Sequence, residues 1–379
     1  MCGAMHAPHL TCVTEPSSAP PPAVRRVISW AWSDHMSAST TNAAFMATDH
    51  ARRGARHNNG ELPIALKRTS GFAALLHSVQ SAVAHTSGAC DVAYVLALGA
   101  ANVSICDVIS QKVRTIHGGP IPCAMLPAGP PRTSPANSSS TPRPCSAAVG
   151  APALLRAGSV YVVDPRSRLS TASLATMWRL IRDTVARDAV GKSRTARARA
   201  RVAYFSAMGA WHRFLLDVIV LPLGVKQALY LDADALVQRS LAELWAAADA
   251  HPYAPAVVAA RATADTWWQK EYRGVAAASL GRWGLQPRHT FNNGVMLLNL
   301  ACWCERRVIE RMAAVAAHHA HTERLWAADA TGNQVVTNLA LAKDVYRVGS
   351  HFNARVRSEQ TTAAICHGLS CFEHVRHQP

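Results

Sequence analysis

Apolar residues along this chain fall into short runs closed by polar residues, glycine or proline, and stretches with helical spacing lie between them. Asp91-Val-Ala-Tyr-Val-Leu-Ala-Leu98, closed by Gly99, predicts a buried strand. Ser159-Val-Tyr-Val-Val-Asp164 predicts a second, stopped by Pro165. Leu174, Met177, Ile181 and Val185 recur at helical spacing and predict a helix that Ser170 or Thr171 can cap. Ala203-Tyr-Phe205 reads as a third strand. The apolar stretch from Arg213 to Leu223 reads as a buried helix, leading through Pro222 and Gly224 into Ala228-Leu-Tyr-Leu231. Strands alternating with helices predict an α/β fold with a mostly parallel central sheet flanked by helices.

Outside these elements the pattern weakens. Residues 1–88 contain Pro20-Pro-Pro22 and Ser/Thr clusters without sustained periodicity, and are expected to be a mostly disordered extension with a short helix at Gly71–Ala84. Residues 89–379 then form one domain, interrupted by a low-complexity insertion at about 107–158, where Pro120–Pro144 is dense in Pro and Ser.

Charge and cysteine content narrow the function less than they first suggest. Lys and Arg outnumber Asp and Glu by 39 to 23, giving a net charge of +16. That excess suits nucleic acid, an anionic surface or an anionic substrate. No zinc spacing, aromatic RNA-binding run or basic zipper accompanies it, so no nucleic-acid partner is expected. Gly191-Lys192-Ser193 resembles the end of a phosphate loop, but Ala186 stands where the first glycine is required. The ten cysteines include no C-x-x-C pair, and Cys366 and Cys371 are open to either a local bridge or free thiols. No apolar run approaches the roughly 18–20 residues a bilayer requires.

The chemistry concentrates in Ala228-Leu-Tyr-Leu-Asp232-Ala-Asp234-Ala-Leu-Val237, an apolar strand ending in two carboxylates spaced i, i+2. Strand alternation would turn Asp232 and Asp234 to one side and Ala233 to the core. Such a pair at the carboxyl end of a central strand suits a divalent ion bridging to a diphosphate, whereas a bare D-x-D is more often a solvated turn. Three further segments follow. Phe291-Asn-Asn-Gly-Val-Met-Leu-Leu-Asn-Leu300 is a polar turn feeding a strand. Thr331-Gly-Asn-Gln-Val-Val-Thr-Asn-Leu339 starts a helix with Asn333 and Gln334 in its first turn. Ala363-Ala-Ile-Cys-His367-Gly368 is a short strand delivering a histidine.

In that order and spacing these segments resemble family-8 glycosyltransferases, the glycogenin-like and xylosyl- or glucuronyltransferase-like group with a GT-A fold. The resemblance runs from about Val160 to Gly368. It implies retaining, metal-assisted transfer from a UDP-sugar donor to a glycan or glycoprotein acceptor by a front-face route. Asp232, Asp234 and His367 would hold Mn²⁺, with Mg²⁺ the alternative. Arg213, Asn292 and Gly368 would serve the donor together with Asp232, and Gln334 and Asn333 would face the anomeric carbon. Trp267, Trp268 and Tyr272 lie where acceptors dock in this fold, although packing is the commoner fate of such aromatics. The resemblance also implies the Golgi or another secretory-pathway lumen, with the cytoplasm the alternative, and it leaves donor sugar, linkage and oligomeric state open.

Two departures stand out. The family has Asp before the glutamine where this chain has Asn333, and Gly368-Leu-Ser-Cys-Phe-Glu-His374 lacks the family's phosphate-binding Lys-Pro-Trp. A catalytically silent member that binds nucleotide-sugar or glycan is therefore the rival reading.

Overall fold

The computed structural model describes residues 24–32, 71–86, 91–98, 103–115, 118–126, 155–190, 208–259, 264–327, 330, 332–354 and 363–367. Among the described residues eight strands form the central sheet: β1 (Arg26–Trp32), β2 (Val92–Leu98), β3 (Cys123–Met125), β4 (Val160–Val163), β5 (Gln227–Leu231), β7 (Ala256–Ala259), β8 (Val295–Asn299) and β9 (Val345–Val348). Their order is β3-β4-β2-β1-β5-β8-β7-β9. Only β8 runs against its neighbours β5 and β7, and every other pairing is parallel. The mixed α/β architecture with a mostly parallel sheet is thus the one the sequence pattern predicts.

Side chains alternate between two apolar layers along each inner strand, as a strand covered on both faces requires. Ala228 and Tyr230 join one layer and Leu229 and Leu231 the other. The first layer is closed by Met177, Leu180 and Ile181 of the helix Thr171–Val190 and by the helices Val308–His321 and Gly332–Leu341. Leu75, Val79 and Val83 of the helix Gly71–Thr86 close the second, with Leu244 and Trp245 of the helix Ala242–Ala250. Ser170 does cap its helix, its Oγ accepting the Ser173 N–H at 3.2 Å.

Three sequence expectations need correction. Arg26–Trp32, placed within a disordered extension, is an inner strand paired to β2 on one side and β5 on the other. Its run is short and broken by Ser29, and its strand character comes from two ladder partners that lie far away in sequence. The 107–158 insertion is also not featureless at its start. The helix Val103–Lys112 enters it, β3 adds to the sheet edge beside β4, and a Cys106–Cys123 disulfide joins the two. Residues 127–154 lie outside the described residues, as do Ala203-Tyr-Phe205 and Cys371. Finally, Arg213–Leu223 is not one helix. It is a 3₁₀ turn (Met208–Leu215), one helical turn (Leu216–Ile219) and another 3₁₀ turn at Pro222, ended by Gly224 at φ +85°.

Among the described residues no helix is long and apolar enough to cross a membrane.

Candidate metal and sugar-transfer site

The site lies at the carboxyl end of β5. That strand stops at Leu231, and Asp232-Ala-Asp234 forms a tight turn closed by the Ala235 N–H on the Asp232 carbonyl at 2.9 Å. The turn, rather than extended alternation, brings the carboxylates together, and Ala233 is only half-buried. Because β8 is antiparallel to β5, its beginning meets the end of β5. The Asp232 N–H donates to the Gly294 carbonyl at 2.7 Å, and the Phe291 segment thus lies against the carboxylates.

After the turn the chain forms β6 (Ala235–Val237), which pairs antiparallel with β10 (Ile365–His367), setting His367 opposite Ala235. His367 Nε2 stands 3.3 Å from Asp232 Oδ2 and 3.3 Å from Asp234 Oδ1. One ligand atom from each of the three residues falls within 4.8 Å of the others. Two carboxylate oxygens and one imidazole nitrogen match the preference of Mn²⁺ or a similar hard-to-borderline divalent ion. Gly294 backs this cluster so closely that a Cβ there would collide with His367 Cε1 and Asp232 Oδ2 and lie 2.8 Å from His367 Nε2. The residues present therefore fit a small cation.

Asp232 is divided between two sets of partners. Its Oδ1 accepts from the Tyr230 hydroxyl at 2.7 Å and pairs with Arg213 Nη2 at 3.0 Å, leaving Oδ2 toward His367. Burial alone would raise its pKa, but the Arg213 charge, His367 and the Tyr230 hydroxyl outweigh it and hold the carboxyl well below the usual range. Burial would likewise lower the His367 pKa, yet Asp234 and Asp232 raise it to about 9. Without a metal, an imidazolium thus supplies the positive charge between the carboxylates.

Arg213 is buried over the Tyr230 ring, 4.3 Å from its centroid, and its Nη1 donates to the Asn293 carbonyl at 3.0 Å. The residue expected on the donor phosphate is here engaged with Asp232 and Asn293. Asn292 Oδ1 accepts the Gly294 N–H at 2.7 Å, while its Nδ2 has no partner among the described residues. The helix Gly332–Leu341 is buried throughout. Asn338 docks it on the Phe291 segment, accepting the Phe291 N–H at 2.7 Å and donating to the Phe291 carbonyl at 3.0 Å. Asn333 Nδ2 donates to the Ala210 carbonyl at 3.0 Å, a bond that a carboxylate could not make. Gln334 is 5% exposed, and its side-chain amide has no hydrogen-bond partner among the described residues.

The aromatic candidates divide. Tyr272 is buried in the first apolar layer, half-buried Trp268 packs on that layer, and their rings are 5.0 Å apart. Trp267 lies in the helix Ala264–Glu271, but its side chain, like the whole of Gly368, lies outside the described residues. Sequence reasoning passed over Tyr230, whose hydroxyl reaches Asp232 two residues on, and Asn293 and Asn338, whose hydrogen bonds to Arg213 and Phe291 cross the fold. It also passed over Asn353, whose Oδ1 lies 2.9 Å from His367 Nδ1. Gly294 stood within a recognised motif, and the glycine itself was the signal.

Residues 194–367 match the family model described as "Glycosyl transferase family 8". No match was found among curated proteins. Among solved structures, the chain is similar to the bifunctional glycosyltransferase WbbM at 10% identity and a TM-score of 0.45. That match covers 91% of this chain but only 45% of the other. The galactosyltransferase LgtC in complex with donor and acceptor sugar analogues matches at 14% identity and a TM-score of 0.40, covering 90% and 86%. Mouse xyloside xylosyltransferase 1 matches at 12% identity and 0.41, covering 92% and 98%.

Proposed function

This chain belongs to glycosyltransferase family 8 through residues 194–367, and from that premise we propose that it moves a sugar, with retention of configuration, from a UDP-sugar to a glycan or glycoprotein acceptor. The observation that carries the metal-dependent part is the convergence of Asp232, Asp234 and His367 on one point.

In this reading those three residues hold Mn²⁺ or Mg²⁺. When bound, the cation supplies Lewis-acid neutralisation of the diphosphate leaving group. Arg213 and Tyr230 keep Asp232 ionised and turned toward the site. Asn292 Nδ2 serves a donor hydroxyl, and the Gln334 amide serves the anomeric carbon, neither amide having a partner of its own among the described residues. An amide is too weak a nucleophile for a double displacement. The acceptor hydroxyl therefore attacks from the face the diphosphate leaves, forming the new C–O bond as the anomeric bond to phosphate breaks. Its proton passes to the departing phosphate oxygen. Asn333 serves this site by bonding Ala210, three residues before Arg213, and not by charge. Trp267 and Trp268 remain the acceptor-side candidates, and Gly368 the candidate on the donor phosphate. The work is placed in a secretory-pathway lumen such as the Golgi, a reading the Cys106–Cys123 disulfide supports because such bonds persist in oxidising compartments.

The uncharged Asn333 also favours a second reading, a member that binds nucleotide-sugar without transferring it. One experiment separates the two. The protein is incubated with UDP-xylose, UDP-glucose, UDP-galactose and UDP-glucuronate, with and without Mn²⁺, and the product anomer is read by proton NMR. Metal-dependent consumption giving the donor's own anomer supports transfer. UDP binding without turnover supports the silent reading. If no donor is consumed or bound, both readings fail.

A further inference from the structure

His367 can serve a cation only through Nε2, the nitrogen facing Asp232 and Asp234, and only if that nitrogen presents a lone pair. Its other nitrogen, Nδ1, must then carry the ring proton. The contact at Nδ1 is Asn353 Oδ1 at 2.9 Å. Which end of an asparagine amide faces a partner has to be argued from its other bonds. Here those bonds decide. Asn353 Nδ2 lies 3.4 Å from the Asn292 backbone carbonyl, which only accepts. The same Nδ2 lies 3.4 Å from Asn292 Oδ1, itself fixed as an acceptor by the Gly294 N–H. Two acceptors on one side require Nδ2 there and leave the carbonyl oxygen for His367. An amide oxygen accepts only, so the His367 Nδ1 donates to it and keeps its proton, and it is Nε2 that gives up its proton and offers its lone pair when a cation replaces the imidazolium charge.

The backbone fixes the separation of the two residues. Asn353 ends the 3₁₀ turn Ser350–Asn353. The next residue, Ala354, accepts the His367 N–H at 2.9 Å and donates to the Ile365 carbonyl at 3.0 Å, while the Ala364 N–H donates to the His351 carbonyl at 2.9 Å. β10 is thus clipped to this segment on one side and to β6 on the other.

We infer that Asn353 is a positioning residue that sets the tautomer and ring orientation of His367, and that it links His367 through Asn292 and Gly294 to the donor side of the site. The inference rests on the metal-binding reading above. Outer partners of ligating histidines change metal affinity by roughly 10–100-fold when removed.

The test titrates Mn²⁺ alone into the full chain by calorimetry, for wild type, Asn353→Ala and Asn353→Asp, with metal-free melting curves alongside. Aspartate still accepts from Nδ1 but repels the Asn292 oxygens. The expected result is binding weakened 10–100-fold in Asn353→Ala and restored to wild-type strength or above in Asn353→Asp, with both variants folded. Equal affinity in all three would overturn the inference. So would equal weakening in both variants, because Asn353 would then act by holding Asn292. If wild type itself binds no Mn²⁺, the metal-binding reading fails and the inference with it.

Discussion

Arg213 Nη2 holds Asp232 Oδ1 at 3.0 Å, although the two residues sit on different elements and are separated by the whole of β5. The guanidinium is 6% exposed and the carboxylate about a quarter exposed. Removing one partner of such a pair leaves the other charge stranded, which costs about 3–5 kcal/mol when burial is complete. For Arg213→Ala the expected loss is about 2–3 kcal/mol, the lower figure reflecting water at Asp232. Urea unfolding measures it. Arg213→Lys should recover only part of the loss, because an ammonium cannot span Asp232 and Asn293 as the planar fork does.

Gly294→Ala tests the tightness of the ligand cluster. The added methyl has no room between Asp232 and His367, so one of the two must swing away. Mn²⁺ affinity should fall by at least about tenfold, as expected when ligand orientation is disturbed. The far-UV circular dichroism spectrum should be unchanged. Wild-type affinity in this variant would mean that the cation is held elsewhere.

Asn338 bonds both the N–H and the carbonyl of Phe291 and seats the glutamine-bearing helix against the metal-side loop. Asn338→Leu leaves those two buried backbone groups unpaired, at about 2–3 kcal/mol together. Chemical denaturation should show that loss, with Mn²⁺ binding by the folded fraction preserved.

These residues mark how far the sequence could be read. Asp232, Asp234 and His367 could be singled out because one short apolar run ends in the carboxylate pair and another in the histidine, but only the order of the motifs, read as a family resemblance, joined them into one set. Arg213 was visible, but its attachment to Asp232 was not, since nothing in a linear pattern encodes a bond across an α/β layer. β1 was hidden for a similar reason. Val27, Ile28 and Trp30 form a weak run amid Pro- and Ser-rich surroundings, and β2 and β5 make them a strand. Asn353 carried no signal, being an isolated asparagine brought to His367 by the pairing of β10 with Ala354.

His319 predicts an acid-sensitive fold. Its ring is stacked at 3.5 Å on Trp326, and its Nδ1 accepts the Leu325 N–H at 3.0 Å, which a second ring proton would forbid. Burial first, then Arg187 and Arg324, lower its pKa to about 3, and burial lowers that of His212 to about 4. Above the unfolded value of about 6.5 both states are neutral and pH has no effect through these rings. Below it the unfolded chain takes up protons that the folded chain refuses, so stability falls as pH drops toward the folded values. Each histidine contributes up to about 1.4 kcal/mol per pH unit in that window. Urea midpoints between pH 7 and pH 5 should fall less steeply in His319→Phe than in wild type.

In the proposed function Asp232, Asp234 and His367 hold a divalent cation on which sugar transfer depends. The most direct test is the rate of UDP release from a consumed UDP-sugar, followed in EDTA-treated protein as Mn²⁺ is added back. No release is expected before addition, with recovery that saturates with Mn²⁺ and at least about 100-fold less recovery in Asp234→Asn, a loss of about 2.7 kcal/mol. Release that proceeds equally well without metal, or an Asp234→Asn protein that recovers fully, would contradict the proposed function.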